Sequence, residues 1–128
     1  MNIMLIVPPV TQEQRYGSLN AAGTLYPSLG LVYIAAVAER AGCRVAVIDS
    51  EAMGYSYPDL QQQILDFKPD LIGMQAFCTN IQRCLTVARL AKKLNRQTTI
   101  VLGGPHVTLF PERYLRDEPI DFVVMGEG

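Results

Sequence analysis

Five short apolar runs alternate with amphipathic segments along 128 residues, and that alternation restricts the chain to an α/β architecture. Ile3-Met4-Leu5-Ile6-Val7, ended by Pro8-Pro9, and Arg44-Val45-Ala46-Val47-Ile48, ended by Asp49, read as strands buried on both faces, the habit of parallel sheets. Leu71-Ile72-Gly73-Met74-Gln75 follows, then Thr98-Thr99-Ile100-Val101-Leu102 before Gly103-Gly104, then Phe122-Val123-Val124-Met125 before Gly126. The gaps carry helical patterns. Ser28 is placed to cap a helix through Leu31, Ile34, Ala35 and Ala38, with Gly42 after its last turn. Pro58 fits a first helical position ahead of a buried side of Leu60, Ile64, Leu65 and Phe67, stopped at Lys68-Pro69. A helix starting near Asn80 puts Cys84, Val87, Ala88, Ala91 and Leu94 on one stripe and leaves Arg83, Arg89, Lys92, Lys93 and Arg96 largely in water. A short helix from Pro111 to about Arg116 precedes the last strand.

Right-handed crossovers turn this order into a doubly wound, flavodoxin-like (Rossmann-like) parallel sheet of five strands, ordered 2-1-3-4-5. Ligands of such sheets bind beyond the carboxyl ends of the strands, where the order reverses. The expected rim is Pro8-Pro9, Asp49, Gln75-Ala76-Phe77, Gly103-Gly104-Pro105-His106 and Gly126-Glu127. The stretch from Pro8 to Pro27 has no helix or strand pattern, and a loop of that length is usually functional or disordered. The sequence stops at Gly126-Glu127-Gly128, where one more covering helix is expected. Residues 1–128 therefore read as one domain and a fragment of a longer protein, with the uncovered face of the fifth strand available for oligomer contacts.

With 11 Lys+Arg against 12 Asp+Glu and no run of like charge, nothing favours nucleic acid as a partner. No apolar run approaches the roughly 20 residues of a membrane span, and no basic region precedes the first one. A cytoplasmic protein is expected. Cys43, Cys78 and Cys84 suit reduced thiols better than a disulfide framework.

The chemical motifs narrow the field further. The first strand leads into Val7-Pro8-Pro9-Val10, which lacks the glycine fingerprint of dinucleotide binders, the phosphate loop of P-loop proteins and the acidic residues of receiver domains. Without those glycines Asp49 reads as a turn residue. Gly103-Gly104 permits a tight turn and a close approach, either for a ligand's edge or as an ordinary turn before a helix. His106 is the only histidine, which excludes any two-histidine site within the chain. Cys78 has no base or cation beside it in sequence and reads as a semi-buried structural thiol. Gln75 and Thr79 offer neutral hydrogen bonds at the rim. Tyr16, Tyr26, Tyr55 and Tyr57, in expected loops, could pack on a flat ligand or close local clusters. No titratable pair is placed for acid–base work, so this chain alone reads as no enzyme.

Tyr26-Pro27-Ser28-Leu29-Gly30-Leu31-Val32-Tyr33-Ile34-Ala35-Ala36, Gly42, Ile48-Asp49, Pro69-Asp70-Leu71-Ile72-Gly73, Gly103-Gly104-Pro105-His106-Val107-Thr108, Pro111-Glu112 and Asp121-Phe122-Val123-Val124-Met125-Gly126-Glu127-Gly128 together resemble the N-terminal cobalamin-binding domain of cobalamin-dependent radical SAM proteins. That group includes methyltransferases and anaerobic magnesium-protoporphyrin monomethyl ester oxidative cyclases. The resemblance implies cobalamin (vitamin B12) as cofactor and a radical SAM domain of the same polypeptide as partner. The 4Fe-4S cluster and S-adenosylmethionine would belong only to that downstream domain, since the three cysteines here do not form its C-x-x-x-C-x-x-C motif. The D-x-H-x-x-G motif that supplies a cobalt-ligating histidine in other cobalamin domains is replaced by Pro8-Pro9-Val10-Thr11-Gln12-Glu13. This implies base-off cobalamin without a histidine ligand. Gln75-Ala76-Phe77 falls on the family's S-x-L motif and Gly103-Gly104 on its G-G motif, of which the second is matched literally. The cofactor-binding set implied is Pro8, Pro9, Gly30, Gln75, Ala76, Phe77, Thr79, Gly103, Gly104, Pro105, His106, Gly126 and Glu127. Two other readings are weighed beside it: a module for another flat or phosphorylated cofactor such as a flavin, and a structural domain with an empty cleft.

Overall fold

A computed structural model describes residues 1–11, 14, 17 and 28–126. Tyr16, Tyr26, Glu127 and most of the Pro8 to Pro27 stretch lie outside the described residues. Strand β1 (Asn2–Val7) is the centre from which the sheet grows. It pairs in parallel with β2 (Arg44–Asp49) on one side and β3 (Leu71–Gln75) on the other. β4 (Thr99–Gly103) adds to β3, and the two-residue β5 (Phe122–Val123) adds to β4. The order is 2-1-3-4-5, as the alternation of runs requires.

The longer helices form on apolar stripes, and one of them adds a full capping box. α1 (Leu29–Arg40) lays Leu31 and Ala35 on β1 and β2, and Gly42 follows it with φ +84°, a conformation glycine adopts without strain. α2 (Tyr57–Phe67) opens with a reciprocal capping box: Ser56 Oγ accepts the Asp59 amide while Asp59 accepts the Ser56 amide. Those bonds from the Ser56 side chain and backbone hold the Asp59 carboxyl below its usual range. α3 (Ile81–Leu94) buries the expected Cys84, Val87, Ala88 and Ala91, with Ile81 and Leu85 added and Leu94 partly buried. α5 (Pro111–Asp117) anchors through Tyr114.

The core is split unevenly by the sheet. One face packs Met4, Ile6, Ile72, Met74, Ile100 and Leu102 against α2 and α3. The other face, on the α1 side, holds Ile3, Leu5, Leu31 and Ala35, with Val45 and Leu71 partly buried.

Several expectations need correction. Ile34 is 45% exposed, because α1 covers only the sheet's β2–β1 side and turns its Leu31–Ala35–Ala38 stripe inward. Leu29, Val32, Tyr33 and Val37 join it on the outer surface. Leu65 is exposed too; Leu60 and Ile64 carry the buried side of α2, and Phe67 is partly buried against the same core beneath the Arg44 guanidinium. Tyr57 is helical, and burial pushes its phenol upward against opposing contributions from the Thr86 hydroxyl and the Arg83 charge. The helix that follows Gly103-Gly104 is not the one expected from Pro111 alone: a five-residue helix, α4 (Pro105–Leu109), starts at once. Cys78 is exposed, not semi-buried, because the turn from Phe77 to Asn80 carries it outward.

The crest of β1 and β3 as a candidate cofactor site

β1 and β3 are neighbours in space whose helices leave on opposite sides, and a cavity of about 680 Å³ opens between their carboxyl ends. Its floor is apolar: Ile6, Val7, Pro8 and Leu31. Pro8 and Pro9 are buried directly after the strand and keep its end free of hydrogen-bond donors. Val10, Gln14 and Leu29 close one side.

The polar rim is assembled by local folding. After β3, the Asn80 side chain accepts the Phe77 amide at 2.8 Å and donates to the Gln75 carbonyl at 3.0 Å, tying the turn to the strand end. This sets Phe77, Thr79 and Asn80 along the cavity. Arg83, one turn into α3, donates to the Thr79 carbonyl at 2.9 Å and brings a cation to the same wall. Asp49 and Glu51 bring carboxylates from the end of β2. Asp49 is a turn residue as expected, accepting the Ala52 amide at 3.0 Å, but it also faces the cavity. Ser28 spends its hydroxyl on Gln75 Oε1 at 3.2 Å and gives no side-chain cap to α1.

The expected rim thus divides in two. Pro8, Gln75, Phe77 and Thr79 line the cavity. Ala76 is fully buried beneath it, and Gly30 meets it only through Gln75, whose amide atoms lie 3.7 Å from where a Cβ would stand. Gly103 and Gly104 sit beyond Gln75, on the β4 side. Gly104, at φ +101°, packs its backbone against Ala76 so closely that a Cβ would come within 2.8 Å of the Ala76 oxygen. Pro105 is exposed. His106 turns its Nε2 to the Tyr114 hydroxyl at 2.7 Å, beside the Phe110 ring. Gly126 donates to Thr108 Oγ1 at 3.2 Å, near the sheet edge.

Ser28, Asn80 and Arg83 were missed as site residues. Arg83 falls off the apolar stripe of α3 and reads as a solvated cation, although in the first turn of a helix leaving the sheet crest that side is the cavity wall. The signal lay in its nearness to the strand end.

Among the described residues, four groups have pKa values moved by the fold, and all move away from neutrality. Tyr57 rises and Asp59 falls, as above. Burial pushes the Cys84 thiol up to about 12, which leaves it protonated and inert. Burial also opposes ionisation of Asp121, but hydrogen bonds from Lys92 and the Ile100 amide, with the Lys92 charge, outweigh it and hold this carboxyl low. None of the four is poised for proton transfer near pH 7. The described residues contain no group of three or more metal-ligating side chains, and no described helix is long and apolar enough to cross a membrane. The thiols give a direct check of burial. Iodoacetamide should label exposed Cys78 in the native chain and spare Cys84, and native labelling of Cys84 would contradict its burial on the inner face of α3.

Comparison with known proteins agrees with this geometry. The B12 binding domain profile matches residues 18–128. An uncharacterized methyltransferase of Pyrococcus horikoshii is 38% identical over the whole chain, which spans 27% of that protein. The anaerobic magnesium-protoporphyrin IX monomethyl ester cyclase of Rubrivivax gelatinosus is 30% identical, again over the whole chain and 22% of its own length. The cobalamin-dependent radical SAM methyltransferase TokK of Streptomyces tokunonensis is 32% identical over 48% of the chain and 9% of that protein. The chain thus spans at most about a quarter of the length of these relatives. A profile covering most of the sequence, on a five-stranded sheet of order 2-1-3-4-5 with its cavity at the crest, places the chain in the B12-binding domain family.

Proposed function

We propose that the crest cavity seats part of a cobalamin, held base-off with no protein ligand to cobalt, and presents it to a radical SAM domain of the same polypeptide. The observation that carries this reading is the make-up of the cavity. An apolar floor suits the edge of a corrin, and the side chains of Ser28, Gln75, Thr79 and Asn80 offer neutral donors and acceptors that match its amide arms. At about 680 Å³ the cavity takes one side of so large a ligand, leaving the rest for a facing domain. No histidine or cysteine is among the residues lining it, and the only imidazole is engaged with Tyr114. Phe122 and Met125, both exposed at the β5 edge, add apolar surface on which such a domain would pack.

Cobalamin, when bound, supplies a cobalt centre that can carry a methyl group or exchange electrons. The residues here bind, orient and exclude water. Ser28, Gln75 and Asn80 fix the amide periphery, Phe77 covers the apolar edge, and Arg83 supplies one charge to the rim. In the whole protein the reaction is methyl transfer to carbon or a radical oxidation, with the iron–sulfur cluster and S-adenosylmethionine in the partner domain. The names of relatives in both reaction classes support this pairing.

The test is a visible spectrum after incubation with hydroxocobalamin and desalting. Wild type is expected to retain a base-off corrin, and His106→Ala to retain it with the same spectrum. Absence of corrin both in this chain and in one extended through the adjoining domain would sink the reading. A spectrum altered in His106→Ala would overturn the ligand-free cobalt.

A further inference from the structure

The sheet ends in two unlike edges. β5 has two residues and little backbone to pair with, whereas β2 is a six-residue strand in unbroken register with β1. Arg44 and Ser50 donate their amides to the carbonyls of Met1 and Val7. Alternate residues of a strand serve opposite neighbours, so Val45 and Val47 turn their N–H and C=O groups to the outer edge. Among the described residues no strand lies beyond them. An edge of this length is normally blunted by a proline, a bulge or a lysine. β2 has none of these: its two charges, Arg44 and Asp49, stand at its ends, and Val47 is 39% exposed on the face that carries α1.

α1 presents a matching flank. Leu31, Ala35 and Ala38 point inward and Gly30 faces Gln75 on the β3 side, so the helical repeat turns Val32, Ala36 and Glu39 toward the β2 edge. All three are exposed, and Leu29 and Tyr33 continue the apolar surface outward. No charge interrupts this surface before Glu39 and Arg40.

We propose that two copies of this chain associate through β2, antiparallel about a two-fold axis at Val47, so that one sheet runs through both and their α1 helices pack side by side. An axis perpendicular to the sheet keeps both helices on one face. Each α1 covers its own β1 and β2, so the helix axes fall about 9.6 Å apart, twice the strand spacing of about 4.8 Å and within the roughly 8–10 Å of packed helices. The levels agree as well. α1 starts at the crest, where Gly30 meets Gln75, and descends about 1.5 Å per residue, while Val47 lies two residues or about 7 Å below the crest. The axis therefore passes between Val32 and Ala36, and each Val32 meets Ala36 of the other copy, a larger side chain against a small one. Glu39 then reaches the first turn of the other α1, which has neither an acidic residue nor a side-chain cap of its own and carries the positive end of the helix dipole.

The contact is about 20 Å along β2 and about 30 Å through the α1, sheet and α2 layers, roughly 600 Å² per copy, at the lower bound of stable interfaces. β5 lies at the opposite end of the sheet, so its apolar edge stays free for another domain.

Sedimentation velocity of the 128-residue chain from about 1 to 200 μM should show monomer passing to dimer, with a dissociation constant on the order of 10 μM. Val47→Lys sets two ammonium groups against each other on the axis, and Ala36→Glu sets an acid against Val32. Each should weaken the dimer tenfold or more, and Phe122→Lys on the other edge should leave it unchanged. The changes fall at exposed positions, and circular dichroism with a urea midpoint verifies that each variant is folded. Val47→Cys in a Cys78→Ser chain should form a disulfide-linked dimer on mild oxidation, because hydrogen-bonded pairs hold their Cα atoms about 5.5 Å apart. Phe122→Cys in the same chain should not. A monomer at every concentration, a dimer that Val47→Lys or Ala36→Glu leaves intact, or one that Phe122→Lys disrupts would overturn the proposal.

Discussion

Gly104→Ala is expected to destabilise the chain by about 3 kcal/mol or more, read as a lower urea midpoint at unchanged slope. The residue sits at φ +101° and ψ 173°, a region open in practice only to glycine. Strain alone accounts for about 1–3 kcal/mol. The larger problem is steric, because the new Cβ would meet the Ala76 oxygen at 2.8 Å and the Ala76 nitrogen at 3.0 Å. Neither atom can retreat. The Ala76 amide donates to the Gly103 carbonyl at 2.8 Å, and the Ala76 oxygen accepts the His106 amide at 3.2 Å. Gly42 provides the control: its φ is also positive, +84°, yet a Cβ there would meet nothing within 4 Å. Gly42→Ala should lose only the strain, about 1 kcal/mol. If the two variants lose the same stability, the close approach of β4 to the end of β3 is not what fixes Gly104.

Asp121→Ala should lose about 2 kcal/mol at neutral pH and loosen β5 from the sheet. One carboxylate oxygen accepts the Ile100 amide at 2.7 Å and meets Lys92 Nζ at 2.7 Å, while the Asp121 amide returns a bond to the Ile100 carbonyl at 3.0 Å. Ile100 is fully buried, so truncation leaves its N–H without a partner. Because the folded carboxyl is held low, its contribution is complete above the unfolded carboxylate value near 3.9 and is lost as pH falls through the folded one. The stability gap between wild type and Asp121→Ala should therefore persist from pH 7 to about 5 and narrow only below about 4. Asp121→Asn keeps an acceptor for Ile100 and should recover part of the loss. Denaturant titrations of all three proteins at pH 7 and 3 decide it, and a variant as stable as wild type at pH 7 would remove Asp121 as the fastener of the edge strand.

The sheet was legible in the sequence because parallel strands buried on both faces must be written as continuous apolar runs, and Ile3–Val7 and Arg44–Ile48 are such runs. β5 was overestimated for the same reason. Val124 and Met125 extend the apolar run, but the strand covers only Phe122–Val123, with a last backbone bond from the Val124 amide to the Leu102 carbonyl at 2.8 Å. α4 was not legible, because five residues are too few to show a helical period and Pro105 after two glycines reads as a turn. The site was half legible. Gln75, Phe77 and Thr79 follow from their place after β3, whereas Arg83 and Ser28 depend on where α3 and α1 begin in space. At Gly30 and Gly104 the neighbour that a side chain would meet was readable only in three dimensions.

The uneven core has a consequence for how the domain breathes. Among the described residues, nineteen buried side chains share the layer of α2 and α3 and only four the layer of α1. The free energy of local opening follows the apolar surface that opening exposes, so α1 belongs to a separate, weaker cooperative unit than β3 and α3. The crest cavity straddles this boundary, with Leu29 and Leu31 on the weaker unit and Asn80 and Arg83 on the stronger. One wall behaves as a fixed bench and the other as a jaw, and a ligand bridging the two would transfer the stability of the first to the second.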